Sequence, residues 1–319
     1  MTTPARDSGL DMFPVIGLLG QGIGYSLSPM LHDAAGRASG RESDFQLFDV
    51  QPENLDGMLV RAAKFPDLVG FNVTVPYKKE IARRLNALHE SAREVGAVNT
   101  VAHRGDHLIG YNTDRPALVS VLKAALDESD FPSENWTVVL LGAGGGARAA
   151  AWAVLDVGMI KHLIVASRSH DRLHSFKNDL YTAYSRAGVS FSTHGWLDWA
   201  TLFVEKPAML INATPLGRRE AGGNIRFTGP AFSYEQLSQF SLVYDLVYSP
   251  PETRLVKMAR EAGCVAVGGG GMLVEQAVLS RAVWFGEGYE QTERAAMVAS
   301  YYTWSRKSDS AVVPGDSSA

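Results

Sequence analysis

VVLLGAGGGARAAAWAVL, Val138 to Leu155, sets an apolar run, a cluster of glycines and an alanine-rich stretch in direct succession. The first part reads as a buried strand, and Gly142, Gly144 and Ala147 follow it in the order G-x-G-x-x-A. In that context each small residue has a physical use. The first glycine makes the turn, the second lets backbone approach a pyrophosphate, and the third packs helix on strand. Free amides at the helix start favour an anion. The spacing therefore predicts a strand–loop–helix unit that binds a dinucleotide through Gly142, Ala143, Gly144, Gly145 and Gly146. The plainer alternative is a glycine-rich turn that only permits close packing.

Which dinucleotide depends on the end of the next strand, expected over Leu163 to Ala166. An acid there would accept from a ribose 2′-hydroxyl, whereas arginine would hold a 2′-phosphate. The sequence is VASRSHDR, in which Ser167, Arg168 and Arg172 offer one hydroxyl and two cations. Asp171 is placed later, where it could cap the following helix. Arginine forks match phosphate geometry, so NADP is favoured over NAD. Both arginines as solvated residues of a helix start remain the competing reading.

Upstream, GFNVTVPYKKE (Gly70 to Glu80) alternates apolar and polar residues, and Pro76 then ends the ladder. Lys78 sits just past that strand end. GAVNTV places Asn99 in a mostly apolar strand, and GYNTD ends another with Asn112, Thr113 and Asp114. GYSLSPMLH puts Ser26 and Ser28 at the start of a helix, a setting that favours a carboxylate. Taken singly, Ser28 reads as an N-cap, Asn99 as a turn residue and Asp114 as a helix start. Taken together they suggest a pocket for a small, hydroxyl-rich acid. A lysine and a carboxylate sharing a proton there suit hydride chemistry at a carbinol carbon.

Strand-like and helix-like segments alternate along all 319 residues, which predicts an α/β fold of two domains with largely parallel sheets. Residues 1–117, completed by helices in 252–303, form the expected substrate domain. Residues 118–251 form the expected dinucleotide-binding domain, entered through the loop DESDFPSEN. A helix is expected over Lys78 to Leu88, and a hairpin joins Ala97–His103 to His107–Tyr111 through RGD. Residues 304–319 read as a disordered tail rich in Ser, Asp, Gly and Pro.

With 46% hydrophobic residues, 20% charged residues and a net charge of −4, the chain has the composition of a globular protein and lacks the basic patch of a nucleic-acid binder. The single cysteine, Cys264, excludes an intramolecular disulfide, and no Cys/His cluster has metal-ligand spacing. No signal-peptide pattern or membrane-spanning apolar run is evident, so a cytoplasmic location is expected. A homodimer is compatible with all of this.

SLSPMLH, GFNVTVPYKKE, GAVNT, GYNTD, GAGGGAR, INATPLG, YDLVYSPPETRL and GGGGMLVEQA occur in that order between Val15 and Ala282. As a set the chain resembles the shikimate dehydrogenase family. The resemblance implies a two-domain enzyme that reversibly reduces 3-dehydroshikimate to shikimate with NADPH, in aromatic amino-acid biosynthesis. It implies Lys78 and Asp114 as catalytic residues, and Ser26 and Ser28 on the substrate carboxylate. It implies Thr74, Asn99, Tyr248 and Gln276 on the ring hydroxyls or carboxylate, Ser167, Arg168 and Arg172 on the 2′-phosphate, and Leu246 and Gly269 beside the nicotinamide. Lys79 reads as a solvated neighbour, and His32 as a helix-face residue without catalytic role.

Five positions depart from the family pattern. Tyr25 replaces the common His, Ser167-Arg168-Ser169 replaces Asn-Arg-Thr, and Ala117 stands at a usual glycine. Pro215 replaces a more usual Ser, and GGGG replaces a turn with Asp. A quinate/shikimate or aminoshikimate-type dehydrogenase is therefore the alternative enzyme. An NADP(H)-sensing regulatory protein is the alternative from another class.

Overall fold

The computed structural model describes residues 13–128, 131–132, 134–196, 204–219, 224–225 and 232–310. The amino-terminal stretch read for a signal peptide, part of the DESDFPSEN loop and the last nine residues of the expected tail lie outside these.

The first sheet begins with β1 (Val15–Gly20), β2 (Asp44–Asp49) and β3 (Leu68–Val73), joined through the helices α1 (Ser28–Ser39) and α2 (Leu55–Ala63). After α3 (Lys78–Ala82) come β4 (Ala87–Leu88), α4 (Glu90–Val95), β5 (Thr100–Arg104) and β6 (His107–Tyr111). The strand order is β2-β1-β3-β5-β6-β4, with β5 antiparallel to both of its neighbours, β3 and β6, and the other pairs parallel. Parallel neighbours need helical crossovers, whereas the tight turn at Gly105 (φ 60°) lets β5 and β6 pair as a hairpin.

α5 (Asp114–Asp127) leads to the second sheet, made of β7 (Trp136–Leu141), β8 (Ile160–Ser167), β9 (Ser190–Gly195), β10 (Ala208–Asn212), β11 (Leu242–Asp245) and β12 (Val265–Val267). All pair in parallel, in the order β12-β11-β10-β7-β8-β9. The direction of winding reverses between β7 and β10. That switch point is where open α/β sheets bind ligands, and the glycine loop leaves from the end of β7. Helices α6 (Gly145–Val157), α7 (His170–Arg186), α8 (Tyr234–Leu237) and α9 (Arg254–Glu261) cover the sheet, and α10 (Gly270–Phe285) and α11 (Glu290–Ser310) return to the first lobe.

Four expectations need correction. The helix expected over Lys78–Leu88 stops at Ala82 because Ala87 and Leu88 pair with Ile109 and Gly110 of β6. The unforeseen α4 then starts with the His89 side chain accepting from the Ser91 amide and ends at left-handed Gly96. α9 does not complete the first lobe, since its Val256 and Ala259 are buried with Phe240, Val243 and Ala266 of the second. The expected tail is helical through Ser310, with Trp304 packed near Leu31, Met297 and Tyr301, and with Ser305 buried. Finally, α5 runs unbroken through the expected boundary at 117/118 and packs against both α6 and α10.

α10 closes the first lobe from behind. Trp284 donates to the Val101 carbonyl at 2.9 Å and packs on Ile16 and Ala102. Its neighbour Arg281 is buried and pairs at 2.9 Å with buried Glu293 of α11. His32 of α1 stacks on Phe45 with ring centroids 5.0 Å apart and lies beside Trp284. Neither of its ring nitrogens finds a hydrogen-bond partner.

Burial, and then the Arg281 guanidinium, push His32 from 6.5 down to about 3, against a weaker opposing effect of Asn72. Between these values the unfolded chain binds a proton that the folded chain refuses. The stability held by neutral His32 is complete above pH 6.5 and is lost as pH falls toward 3. The loss between pH 6.5 and 5 is about 2 kcal/mol. His32→Leu is expected to remove that part of the acid sensitivity in urea titrations at pH 7.5 and 5. An equal loss in both proteins would rule it out.

Candidate active site

A cleft of about 470 Å³ runs between the two lobes. Lys78 and Asp114 lie on its first-lobe wall, and Gly144, Gly145 and Gly146 lie on the opposite one. Lys78 begins α3 and Asp114 begins α5, so two helix starts bring the pair together. Lys78 Nζ stands 2.6 Å from Asp114 Oδ2, and the carboxylate is only 2% exposed. A buried carboxylate needs its lone pairs satisfied. Asn99 Nδ2 donates to Asp114 Oδ1 at 2.9 Å, while Asn99 Oδ1 accepts from the Thr113 amide at 2.7 Å. Asn99 is thus the bracket that sets Asp114, more than a turn residue. Behind it, Asn72 donates to Thr100 and to Ser280 of α10, tying the bracket to the lobe's back wall.

Ser26 and Ser28 meet at 3.1 Å between their hydroxyl oxygens. The expected N-cap role of Ser28 does not hold. Leu27 takes that position without a side-chain cap, Ser28 is the first helical residue, and Pro29 follows. Its hydroxyl therefore stays on the cleft side of the helix start. Thr74 follows the end of β3 and is fixed by its amide to the Leu19 carbonyl. Tyr248 and Gln276 line the same cleft. Burial raises the Tyr248 phenol well above its ordinary value, with Ser26 and Arg218 acting weakly the other way. Gln276 Nε2 donates to the Leu273 carbonyl, leaving its carbonyl oxygen toward Asn99 at 3.5 Å.

On the second lobe, Gly144 caps α6 with no side chain bonded to the helix amides and no acid in the first turn. An anion can take those amides. At Gly142, φ is +107° and a side chain would press on the Ala213 carbonyl, so only glycine turns the chain there. Buried Asp245 knots the facing loop by accepting from Asn212, from the Val247 amide and from Thr253 at 2.6–3.1 Å. Desolvation raises this carboxyl to about 6 against those bonds. The knot fixes Leu246, whose carbonyl lies 2.3 Å from where a Gly269 side chain would begin. Leu246 and Gly269 accordingly stand together on the cleft wall.

At the end of β8, Ser167 is buried, while Arg168 and Arg172 are exposed and form no ion pair among the described residues. Ser169, and not Asp171, caps α7 by accepting from the Arg172 amide. Arg172 lines the cleft, while Ser167 and Arg168 stand beyond its rim.

Two contacts across the cleft were missed by sequence reasoning. Lys79 is not simply solvated, because its ammonium donates to Ser175 of α7 at 3.2 Å. Burial, then the Arg148 guanidinium, lower its pKa. Arg218, after β10, donates to the Tyr25 hydroxyl at 2.8 Å. No local pattern could have paired residues so distant in sequence, although Tyr25 had stood out as a departure from the family. Among the described residues no group of acids, histidines or cysteines could hold a metal ion, and no helix is long and apolar enough to cross a membrane.

The family model described as the shikimate dehydrogenase substrate binding domain matches residues 18–101. Shikimate dehydrogenase (NADP(+)) of Methanopyrus kandleri is 35% identical over 275 residues, spanning 86% of this chain and 90% of its own. The crystal structure of a shikimate dehydrogenase in complex with NADP+ matches with a TM-score of 0.74 at 29% identity, over 92% of this chain and 99% of that one. Quinate dehydrogenase from Corynebacterium glutamicum, in complex with NAD, matches with a TM-score of 0.74 at 28% identity, over 91% and 100%. With its two lobes and cleft, and with identity sustained over most of both lengths, the chain belongs to the shikimate dehydrogenase family.

Proposed function

We infer that the protein is an NADP-dependent shikimate dehydrogenase, transferring hydride reversibly between NADPH and 3-dehydroshikimate to give shikimate on the route to chorismate and aromatic amino acids. The observation that carries this reading is the 2.6 Å Lys78–Asp114 pair facing a phosphate-ready glycine loop across one cleft. The lobe of the first sheet, closed by α10 and α11, is the substrate domain, and the lobe of the second sheet is the cofactor domain.

The residues present suit a dinucleotide. The uncapped start of α6 suits a pyrophosphate, and Ser167, Arg168 and Arg172 suit a 2′-phosphate. Leu246 and Gly269 leave a smooth wall for the nicotinamide ring. The bound cofactor supplies or accepts the hydride. Ser26 and Ser28 hold the substrate carboxylate, with Tyr248 beside them. Thr74, Asn99 and Gln276 receive the ring hydroxyls. As hydride leaves, the carbinol proton passes to Lys78 Nζ while the ammonium hands one of its own protons to Asp114 Oδ2, so the pair gains one proton that it returns in the reverse direction. Asp114 aims the ammonium and shares its proton, while Asn99 stops the carboxylate from turning away. A cytoplasmic setting belongs to this reading, and the buried free thiol of Cys264 is compatible with it.

The quinate-dehydrogenase likeness supports a second reading as a quinate/shikimate enzyme. Against its NAD-linked form stand the two exposed arginines after β8, where an acid would be needed for a free ribose. Of shikimate and quinate with NADP+ and NAD+, kcat/KM is expected to be highest for shikimate with NADP+. Quinate with NAD+ leading instead would establish the second reading. Replacing Arg168 and Arg172 together by Ser is expected to cut the preference for NADP+ over NAD+ at least ~10-fold.

Lys78→Ala is expected to lower kcat ~10²- to 10⁴-fold with circular dichroism unchanged. A near-normal rate would remove Lys78 from the reaction. The glycine loop bears on the same lysine, because a side chain at Gly145 would begin 2.8 Å from Lys78 Cβ. Gly145→Ala is therefore expected to lower kcat at least ~10-fold by displacing the ammonium, even though the loop can still bind cofactor. Unchanged kcat would show that the lysine stem gives way freely.

A further inference from the structure

Arg218 sits in an unusual position for a cation. Its loop is set by a bond from its own amide to the Pro215 carbonyl, by left-handed Gly217, and by the Arg219 amide on the Ser249 carbonyl at 2.7 Å. The side chain leaves the cofactor lobe and reaches the substrate lobe. There the guanidinium donates to the Tyr25 hydroxyl at 2.8 Å, and its carbon lies 4.6 Å from the Tyr25 ring centre. Its Nε is buried with no hydrogen-bond partner. Among the described residues no carboxylate pairs with it. The same stretch of cleft is lined by Ser26, Ser28 and Tyr248.

Among the described residues this half-buried guanidinium meets an aromatic ring and a neutral hydroxyl, which leave its desolvation uncompensated. Ser26 and Ser28 line the same cleft at the start of α1, where Ser26 Oγ accepts from the Ser28 amide at 3.2 Å and the serine hydroxyls can donate to an anion. We propose that Arg218 is a specificity residue that reads the substrate's carboxylate from the opposite lobe, so that an acid held on Ser26 and Ser28 completes a bridge between the lobes. This rests on the reading of those serines as the carboxylate site. The anion supplies the missing countercharge, and Tyr25 holds the fork in place until it arrives. A neutral analogue of the same shape leaves the guanidinium unpaired and gains nothing from closure. The selectivity is therefore for a ring acid over its ester or amide.

The test compares the wild type with Arg218→Met, which keeps the stem over Tyr25, and with Arg218→Lys. Shikimate and its methyl ester are titrated calorimetrically into the NADP+-loaded proteins, and both are assayed as substrates. Arg218→Met is expected to weaken shikimate binding and raise its KM ~10- to 100-fold, with the ester and the NADP+ KM unchanged. Arg218→Lys is expected to restore part of the acid-over-ester preference. A purely structural clasp would move acid and ester together, which overturns the proposal, as does unchanged acid binding by Arg218→Met. A wild type that binds shikimate through Arg218 without turnover would remove the dehydrogenase reading and uphold this one. No binding of shikimate at all would remove both.

Discussion

The short bond between Lys78 and Asp114 governs more of the molecule than its size suggests. A carboxylate as buried as Asp114 is tolerable only with its charge paired and its second oxygen bonded. Lysine from the start of α3 supplies the first condition, and Asn99, just before β5, supplies the second. Those two demands bring the ends of β3, β5 and β6 to one point at the cleft. They also leave the lysine stem lying against the glycine loop of the other lobe. The distance between the Lys78–Asp114 pair and the glycine loop is thus set by the thickness of one side chain, and Gly145 has none to add.

The second layer of control is polar and lies behind the site. Asn72, Thr100, Thr113 and Ser280 bond to one another and to Asn99 in a place closed to water. The bonds between its members specify one arrangement, although Asn72 Oδ1 stays buried there without a hydrogen-bond partner. Through Ser280 it also makes α10 part of the floor. α5, packed on both lobes, keeps the two sheets in a common frame.

The sequence made the dinucleotide lobe legible because its information is local. A glycine loop, the strand before it and the helix after it are contiguous, and their spacing carries the meaning. Lys78, Asp114 and the two serines were legible as members of ordered motifs, although the freedom of the Ser28 hydroxyl was not. What stayed hidden depended on distant partners. α3 is cut short by strand pairing with β6, which no helical periodicity records. The last turns of α11, from Trp304, are rich in serine and charge and look like a solvated tail, yet Ser305 is buried and Trp304 packs near Leu31 and Tyr301. α11 is held by apolar packing of Met297 and Tyr301 on Leu31 and Val278 and by the Arg281–Glu293 pair, partners that only the folded chain brings together. The same holds for Lys79 and Arg218, whose partners lie across the cleft.

The return of α10 and α11 to the first sheet has a consequence for how the protein is made. All six strands of the second sheet lie between the opening and closing segments of the first lobe. A ribosome therefore releases the whole second lobe while Ile16, Leu31, Ala35 and Ala102 still wait for the helices that cover them. Domains fold as units during synthesis, so the inner half matures first and the outer half carries an open apolar flank until the last turns emerge. The order of the chain thus leaves the flank of the first lobe uncovered longest during synthesis.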